Sequence, residues 1–590
     1  MTQRIISSSA VAGEKLRPLL DEIRAENIEV DFSDEVVAQA DNAAREWEDL
    51  AGSLTLREAD WDQHLASYLA GGEKPALDAT TGDPAAADRE GAANGANTGD
   101  PAAGNRGGAA NGATALVDVT KVVAHLPQLT YPAGPAPTHL FAPALPTTDA
   151  TSIPLITIDP PESTDLDQAV AIFPLHHGRA RYLVVYAIAS VATFVPPGSA
   201  LDETAWARGT TMYLPDEATP LYPRTLSSGA GSLLPGQLRP ACVWTIALGE
   251  DGERLGAHVH RAVVRSRGKF SYADIDAAVA GQDFVGSEKM PAQLPQLLRE
   301  VGQLRQQREA ARGGVSARIP EQEVISEGDT FRLEYRSNTP AEEWNAQISL
   351  LTGISAAALM RQANVGIVRT LPPAQERDLR RLRRVAKVLG VRWDEDVTYP
   401  QMVRTLDPKN PAHAAFLLEA TGLFRGAGYR AFGVRNTQPL PRSRDDGIIH
   451  AAIGAEYAHV TAPLRRLVDR YGEEVCLAHC AGKAVPEWVR EALDDLPSAM
   501  GAAGERAGRV SREAVRIMQA LVMEGRVGQR LRGAAVDERG DHALVMLEDP
   551  AVMATGSGEL GVAQTFEVVE VDVPKRRVRV RPVGEEITGS

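Results

Sequence analysis

The segment IDPPESTDLDQ, starting at Ile158, sets Asp159, Glu162, Asp165 and Asp167 within nine residues, directly after the apolar run PLIT. Like charges about 4 Å apart repel by roughly 1 kcal/mol in water and about 4 kcal/mol at an effective dielectric near 20. Such a cluster is tolerated as a solvated turn, by taking up protons, or by binding cations. A calcium loop of the helix–loop–helix kind is excluded. Counted from Asp159, its sixth position is Thr164 instead of glycine and its twelfth is Val170 instead of glutamate. A solvated turn and a pair of hard divalent ions on carboxylate oxygens, the arrangement that hydrolyses phosphodiesters, both stay open.

A second stretch, YAHVTAPLRRLVDRY from Tyr457, places Arg465 and Arg466 after a Thr-Ala-Pro turn at a predicted helix start. Arginine there can contact phosphate bidentately and offset charge developing on transferred oxygens. Alone, the pair reads more simply as a basic surface at a helix terminus.

The elements that must position these residues follow from apolar periodicity. PLITI, QAVAIFPL, RYLVVYAIASVATFV, ACVWTIAL and GAHVHRAVVRS predict strands, so the acidic loop joins two of them. AQLPQLLREVGQLRQQREAAR and EEWNAQISLLTGISAAALMRQ predict helices. Near the C-terminus the helix REAVRIMQALVMEG precedes four short strands, RLRGAAVDE, HALVMLE, AQTFEVVEVD and RRVRVRP, which suggest an OB-fold barrel. At the N-terminus, Ser33 caps a predicted helix with Val36, Val37, Ala40, Ala44 and Trp47 at helical spacing. Residues 72–114 hold a duplication, TGDPAAADREGAANGAN and TGDPAAGNRGGAANGAT, rich in Gly, Ala and Asn. Such a composition predicts a flexible linker spanning roughly 35 Å and only loose coupling of the N-terminal module.

The fold class expected is therefore multidomain α+β. It comprises a helical module for which a winged helix is one form (1–71), the linker (72–114), a large mixed α/β domain (115–510), and a helix plus small β-barrel (511–590). The chain has 590 residues and a net charge of -16, so any nucleic-acid site must be a local groove or depend on cations. Three cysteines, no apolar leader and no bilayer-length apolar run predict a cytoplasmic protein without membrane association.

In combination the motifs resemble the ribonuclease II/ribonuclease R family, whose catalytic RNB domain carries four aspartates in a loop of the form IDPxxxxDxDDA. The family's Y-x-x-F-T-S-P-I-R-R-Y-x-D is matched by YAHVTAPLRRLVD, and PPGSALDETAWARGTTMYLPDEATPLYPRTLSSGAGSLLPGQLRPA resembles its long intervening segment. The resemblance runs from about residue 150 to 480 and continues into the OB-like domain.

It implies 3′→5′ hydrolysis of single-stranded RNA to nucleoside 5′-monophosphates, with two Mg²⁺ ions (Mn²⁺ as a substitute), by a monomer. It implies Asp159, Asp165, Asp167 and Gln168 as metal ligands, and Asp167 and Arg465 as catalytic residues. Tyr213, Glu342, Glu343 and Arg466 become RNA-binding residues, with Tyr213 stacking near the 3′ end. Six positions depart from the pattern. Gln168 replaces the fourth aspartate, Ala462 a serine, Leu467 a tyrosine and Ser190 an aspartate, and Ile348-Ser349 replaces Ala-Asn. Two alternatives follow: a weakened or noncatalytic RNA-binding relative, and an acidic scaffolding protein.

Three further motifs carry simpler readings. GSGELG from Gly556 opens no predicted helix and reads as a loop. CLAHC (Cys476, His479, Cys480) reads as core packing. KRRVRVRP aligns Lys575, Arg577, Arg579 and Arg581 on one face, either a solvated edge strand or a guide for the RNA backbone.

Overall fold

The computed structural model describes residues 6–8, 10–27, 31–56, 60–61, 63, 65, 118–124, 126–132, 135–315, 321–327, 330–424, 426–435 and 447–583. The duplicated segment predicted as a linker lies outside the described residues. The N-terminal part contains β1 (Ile6–Ser8), α1 (Ala10–Asn27) and α2 (Asp34–Ser53). Ser33 caps α2 as predicted, accepting the Val36 N–H. Val36, Ala40, Ala43, Trp47 and Ala51 form its buried stripe, while Val37 faces out.

The loose coupling expected of this module is overturned, because α2 shares the main core. Trp47 lies edge-on to Phe194 with ring centroids 6.0 Å apart, and its Nε1–H donates to the Leu238 carbonyl at 3.0 Å. Glu48 also pairs with the buried Arg239 at 2.8 Å. An apolar stripe that wide finds more free energy against the sheet than in water.

The sheet is built from β2 (Thr148–Asp149), β4 (Gln168–His177), β5 (Ala180–Ala189), β8 (Leu238–Gly249) and β9 (Arg254–Arg265), in the order β2-β9-β8-β5-β4. Its long strands are antiparallel, and β2 runs parallel to β9. The strand predicted through residue 195 ends at Ala189, and Val191–Thr193 form a 3₁₀ turn. Before β4, β3 (Thr157–Ile158) pairs in parallel with β10 (Lys269–Phe270). Between β5 and β8 lie α3 (Ala200–Arg208) and the hairpin of β6 (Met212–Tyr213) and β7 (Ala218–Thr219).

Beyond β10 come α4 (Tyr272–Val279) and α5 (Leu294–Ala311). A hairpin of β11 (Glu321–Glu327) and β12 (Thr330–Arg336), to which β1 adds in parallel, leads into α6 (Pro340–Ala363). Between β13 (Gly366–Thr370) and β14 (Gly428–Phe432), α7 (Glu376–Val388) and α8 (Pro411–Ala420) share a separate core with Ala534 and Val536. The chain continues through α9 (Leu467–Cys480) into α10 (Glu487–Val522), a helix of 36 residues that crosses the boundary expected at 510.

The C-terminal barrel contains β15 (Arg530–Arg539), β16 (His542–Leu547), β17 (Met553–Gly556), β18 (Ala563–Asp572) and β19 (Arg577–Pro582). It closes in the order β15-β16-β17-β19-β18, the small barrel expected. β17 escaped the sequence pattern because it has four residues and ends at Gly556 of the GSGELG loop. β19 is an inner strand of this barrel rather than a solvated edge, and its Arg577, Arg579 and Arg581 pair with Glu570 and Glu567 of β18. Cys476 is buried and its thiol points at the Ala356 carbonyl, the packing role expected. No helix among the described residues is long and apolar enough to cross a membrane.

Candidate active site

Asp159 follows β3 directly, and its N–H donates to the Phe270 carbonyl at 3.0 Å. The loop beyond it is pinned by Lys269, whose Nζ donates to the carbonyls of Pro161 and Ser163, both at 2.6 Å. Ser232 ties the far end, accepting the Leu166 N–H at 2.9 Å and donating to the Thr164 carbonyl at 2.8 Å. The Asp167 carbonyl accepts the Ala189 N–H at 2.9 Å, which starts β4 one residue later. Glu162 is left exposed at the loop tip.

These ties set Asp159 and Asp167 near enough to feel the charge of Asp165, and all three near enough to feel Arg465. Burial pushes the Asp159 carboxyl up to about 7, opposed by Arg465 and reinforced by Asp165. Burial also raises Asp165, and it raises Asp167 well above the usual range, both against the pull of Arg465. Desolvation therefore outweighs the cation, as expected where like charges share a site.

The TAPLRR turn closes on this loop. The Leu464 N–H donates to Asp167 Oδ1 at 2.8 Å, and Arg465 Nε stands 3.6 Å from Asp167 Oδ2. The segment 209–211 grips the turn from behind. Thr211 N–H and Thr210 Oγ1 donate to the Arg465 carbonyl at 3.0 and 2.9 Å, and Leu467 N–H donates to the Gly209 carbonyl at 3.0 Å. Gly209 has a φ of +70°, and a Cβ there would meet Ala503 Cβ at 2.5 Å, so glycine is required. Tyr213 stands beside Arg465: burial raises its phenol, Arg465 opposes the rise, and Asp165 and Asp167 reinforce it.

The remaining candidates divide into those facing this space and those facing inward. Arg466 is buried in a bidentate pair with Asp469, Nε to Oδ2 at 2.8 Å and Nη2 to Oδ1 at 2.7 Å. Its expected contact with RNA is replaced by an internal partner. Glu342, in the first turn of α6, borders the site through Tyr272, whose phenol is raised by burial and by both Asp159 and Glu342. Glu343 instead accepts from Gln306 of α5 at 3.1 Å.

The departures from the family pattern acquire local partners. The Gln168 amide donates to the Thr461 carbonyl and accepts from Tyr186 Oη at 3.1 Å, so both its ends meet protein. Ser190 accepts from Arg261 Nε at 2.9 Å, and Arg261 takes its ion pair from Glu474 instead. Ser349 meets the Thr461 hydroxyl at 2.8 Å, and Ala462 offers its N–H to Asp469 at 2.7 Å.

The donor set fits a hard divalent cation in chemistry. Its ligands would be carboxylate oxygens, Asp159 Oδ2 is buried without a hydrogen-bond partner, and three raised carboxyls call for positive charge. The cage is not preformed, because among the described residues no group of three or more His, Cys, Asp or Glu gathers as a metal cluster. Sequence patterns missed Lys269, Tyr186 and Tyr272. Each reaches the loop from another strand or helix, and only the pairing of β3 with β10 and of β4 with β5 brings them there.

Residues 147–477 match the family described as RNB domain. The exosome complex exonuclease dis3 of Schizosaccharomyces pombe is 28% identical over 53% of this chain and 32% of its own length. Ribonuclease R of Vibrio parahaemolyticus is 24% identical over 68% of this chain and 48% of its own. The chain thus spans about a third to a half of the length of these curated relatives. Among solved structures, Mycoplasma genitalium RNase R in complex with ribose-methylated single-stranded RNA matches with a TM-score of 0.61 at 18% identity, over 74% of this chain and 71% of that one. Yeast Ssd1, described as a pseudonuclease, matches with a TM-score of 0.50 at 13% identity, over 72% of this chain and 51% of that one. At those identities the structures speak for the fold alone. The family match covers more than half of the sequence and falls on the acidic loop, the Tyr213 hairpin and the TAPLRR turn, and the chain belongs to the RNB-domain family.

Proposed function

We propose that this protein is a magnesium-dependent 3′→5′ exoribonuclease that hydrolyses single-stranded RNA to nucleoside 5′-monophosphates. The observation that carries the reading is the opposition of Asp167 and Arg465 across two distant segments, beside two further raised carboxyls. Asp159, Asp165 and Asp167, with the Gln168 amide oxygen, would hold two Mg²⁺ ions, for which Mn²⁺ would substitute. Bound there, such ions activate a water and offset charge on the leaving oxygen. Arg465 orients its guanidinium toward the scissile phosphate and offsets charge on its oxygens. Tyr213 supplies an aromatic face for a base near the 3′ end, a contact worth about 1–3 kcal/mol and indifferent to base identity. Glu342, which like Asp159 acts on the Tyr272 phenol, accepts from a ribose 2′-hydroxyl and so favours RNA over DNA. The RNA held by the M. genitalium neighbour supports the substrate class. The three cysteines are free, which agrees with action in the cytoplasm, and we take the working unit to be a monomer.

One observation favours a second reading, an RNA-binding relative without catalysis. Gln168 brings no charge, and its amide is engaged at both ends by protein. Chromatography of RNA incubated with the protein and Mg²⁺ separates the two. The exonuclease releases nucleoside 5′-monophosphates, whereas the noncatalytic relative returns bound, intact RNA.

A further inference from the structure

Tyr213 stands on a hairpin of two residue pairs, too short to hold its own shape. What fixes it comes from the far end of the sequence. Leu214, next to Tyr213, is buried in a cluster with Leu16, Leu20 and Ile23 of α1. Arg24 of α1 donates through Nη2 to Asp216 Oδ1 in the hairpin turn and through Nη1 to Asp21 at 2.5 Å. The side chains of Arg24 and Asp216 are only 10% and 14% exposed, so water competes weakly for this pair. Asp216 Oδ1 also accepts the Glu217 N–H at 2.8 Å, and Glu217 returns its carbonyl to the Leu214 N–H at 3.3 Å. One carboxylate thus shapes the turn and anchors it to α1. The strand preceding α1 adds to β11, and the β11–β12 hairpin delivers Arg336, which donates to Glu342 at 3.4 Å.

We infer that Arg24 is a positioning residue for the reaction. Through Asp216 it sets the height of the Tyr213 ring and, through Tyr213, the orientation of Arg465. The inference rests on the exoribonuclease reading above. The N-terminal segment then acts as a brace built into the active site, joined to the two elements that carry the proposed RNA contacts. Displacement of a positioning group by about 1 Å costs on the order of 100-fold in rate.

The test compares wild type, Arg24→Ala, Arg24→Lys and the exchange Arg24→Asp with Asp216→Arg, all as full-length chains. Single-turnover cleavage at saturating RNA is read alongside RNA affinity in EDTA. Hydrogen exchange of the amides of residues 212–219 is followed in the same proteins. The expected result is a loss of roughly 10- to 100-fold in cleavage rate for Arg24→Ala, with affinity changed less than about threefold. Arg24→Lys should recover part of the rate, the exchanged pair should recover more, and the hairpin amides of Arg24→Ala should exchange faster. If wild type cleaves and Arg24→Ala cleaves equally fast, the brace is overturned and the exonuclease reading stands. Should Arg24→Ala fail to fold, the exchanged pair decides: a folded protein with no recovery of rate overturns the inference. If wild type does not cleave, the exonuclease reading fails, and unchanged exchange at 212–219 in Arg24→Ala overturns the brace as well.

Discussion

Asp167 and Arg465 face each other with Nε and Oδ2 3.6 Å apart, while the N–H of the residue before the arginine is bonded to the other carboxylate oxygen at 2.8 Å. One carboxyl thereby registers the TAPLRR turn against the acidic loop. The distance exceeds that of a tight ion pair, and Arg465 Nε is buried without a hydrogen-bond partner while 29% of the side chain stays exposed.

Asp167→Asn keeps an oxygen for the Leu464 N–H and removes the charge. Cleavage of RNA should fall below detection in this variant while affinity in EDTA stays within about threefold of wild type. Quenched-flow cleavage and fluorescence anisotropy measure the two, and a rate close to wild type would remove Asp167 from the chemistry.

The two adjacent arginines should part company under mutation. Arg465→Ala should lower the cleavage rate by about 100- to 1000-fold with little change in melting temperature. Arg466→Ala strands the buried Asp469 and should destabilise the fold by about 3–5 kcal/mol. Thermal unfolding and single-turnover rates on both variants check the contrast.

Gln168→Asp restores the family's residue but shortens the side chain and removes the donor to the Thr461 carbonyl. It also adds charge beside three carboxyls already raised by burial. The variant should melt lower than wild type in EDTA and gain more stability from Mg²⁺. Differential scanning fluorimetry with and without Mg²⁺ reads this directly. Equal Mg²⁺ shifts in the two proteins would count against residue 168 as a ligand position.

The acidic loop also sets a pH dependence. Asp159 is pushed up to about 7, above its ordinary value of 3.8. Between those values the folded protein holds a proton that the unfolded chain releases, so metal-free stability falls as pH rises. The stabilisation is complete below about pH 4 and lost above about 7. Asp165 and Asp167 act in the same direction. Metal-free protein should melt higher at pH 5.5 than at pH 7.5, and Asp159→Asn should show a smaller difference. A difference between pH 5.5 and pH 7.5 in Asp159→Asn as large as in wild type, or larger, would contradict the assigned burial.

Much of the catalytic architecture was legible because local chemistry agreed with the long-range pattern. The run PLITI-loop-QAVAIF marked two strand ends and the loop between them, and Ser33 marked a helix start that the structure keeps. Three features were not legible, for separate reasons. The docking of α2 depends on a pocket for Trp47 formed by Phe194 and Leu238, whose proximity exists only after folding. Adjacent arginines look alike in sequence, and only the turn at Arg465 followed by the extended cap at Arg466 sends one side chain to the loop and the other to Asp469. α7 and α8 fill the interval between β13 and β14 with their own core, a packing decided by contact with the barrel.

The most direct test of the central claim is a sequencing gel of 5′-labelled single-stranded 30-mer RNA incubated with the protein in Mg²⁺ or in EDTA. The account predicts a ladder shrinking from the 3′ end to a short limit product in Mg²⁺ alone, absent with Asp167→Asn. Intact RNA in both lanes, with a mobility shift on a native gel, would contradict it and leave an RNA-binding scaffold without the chemistry.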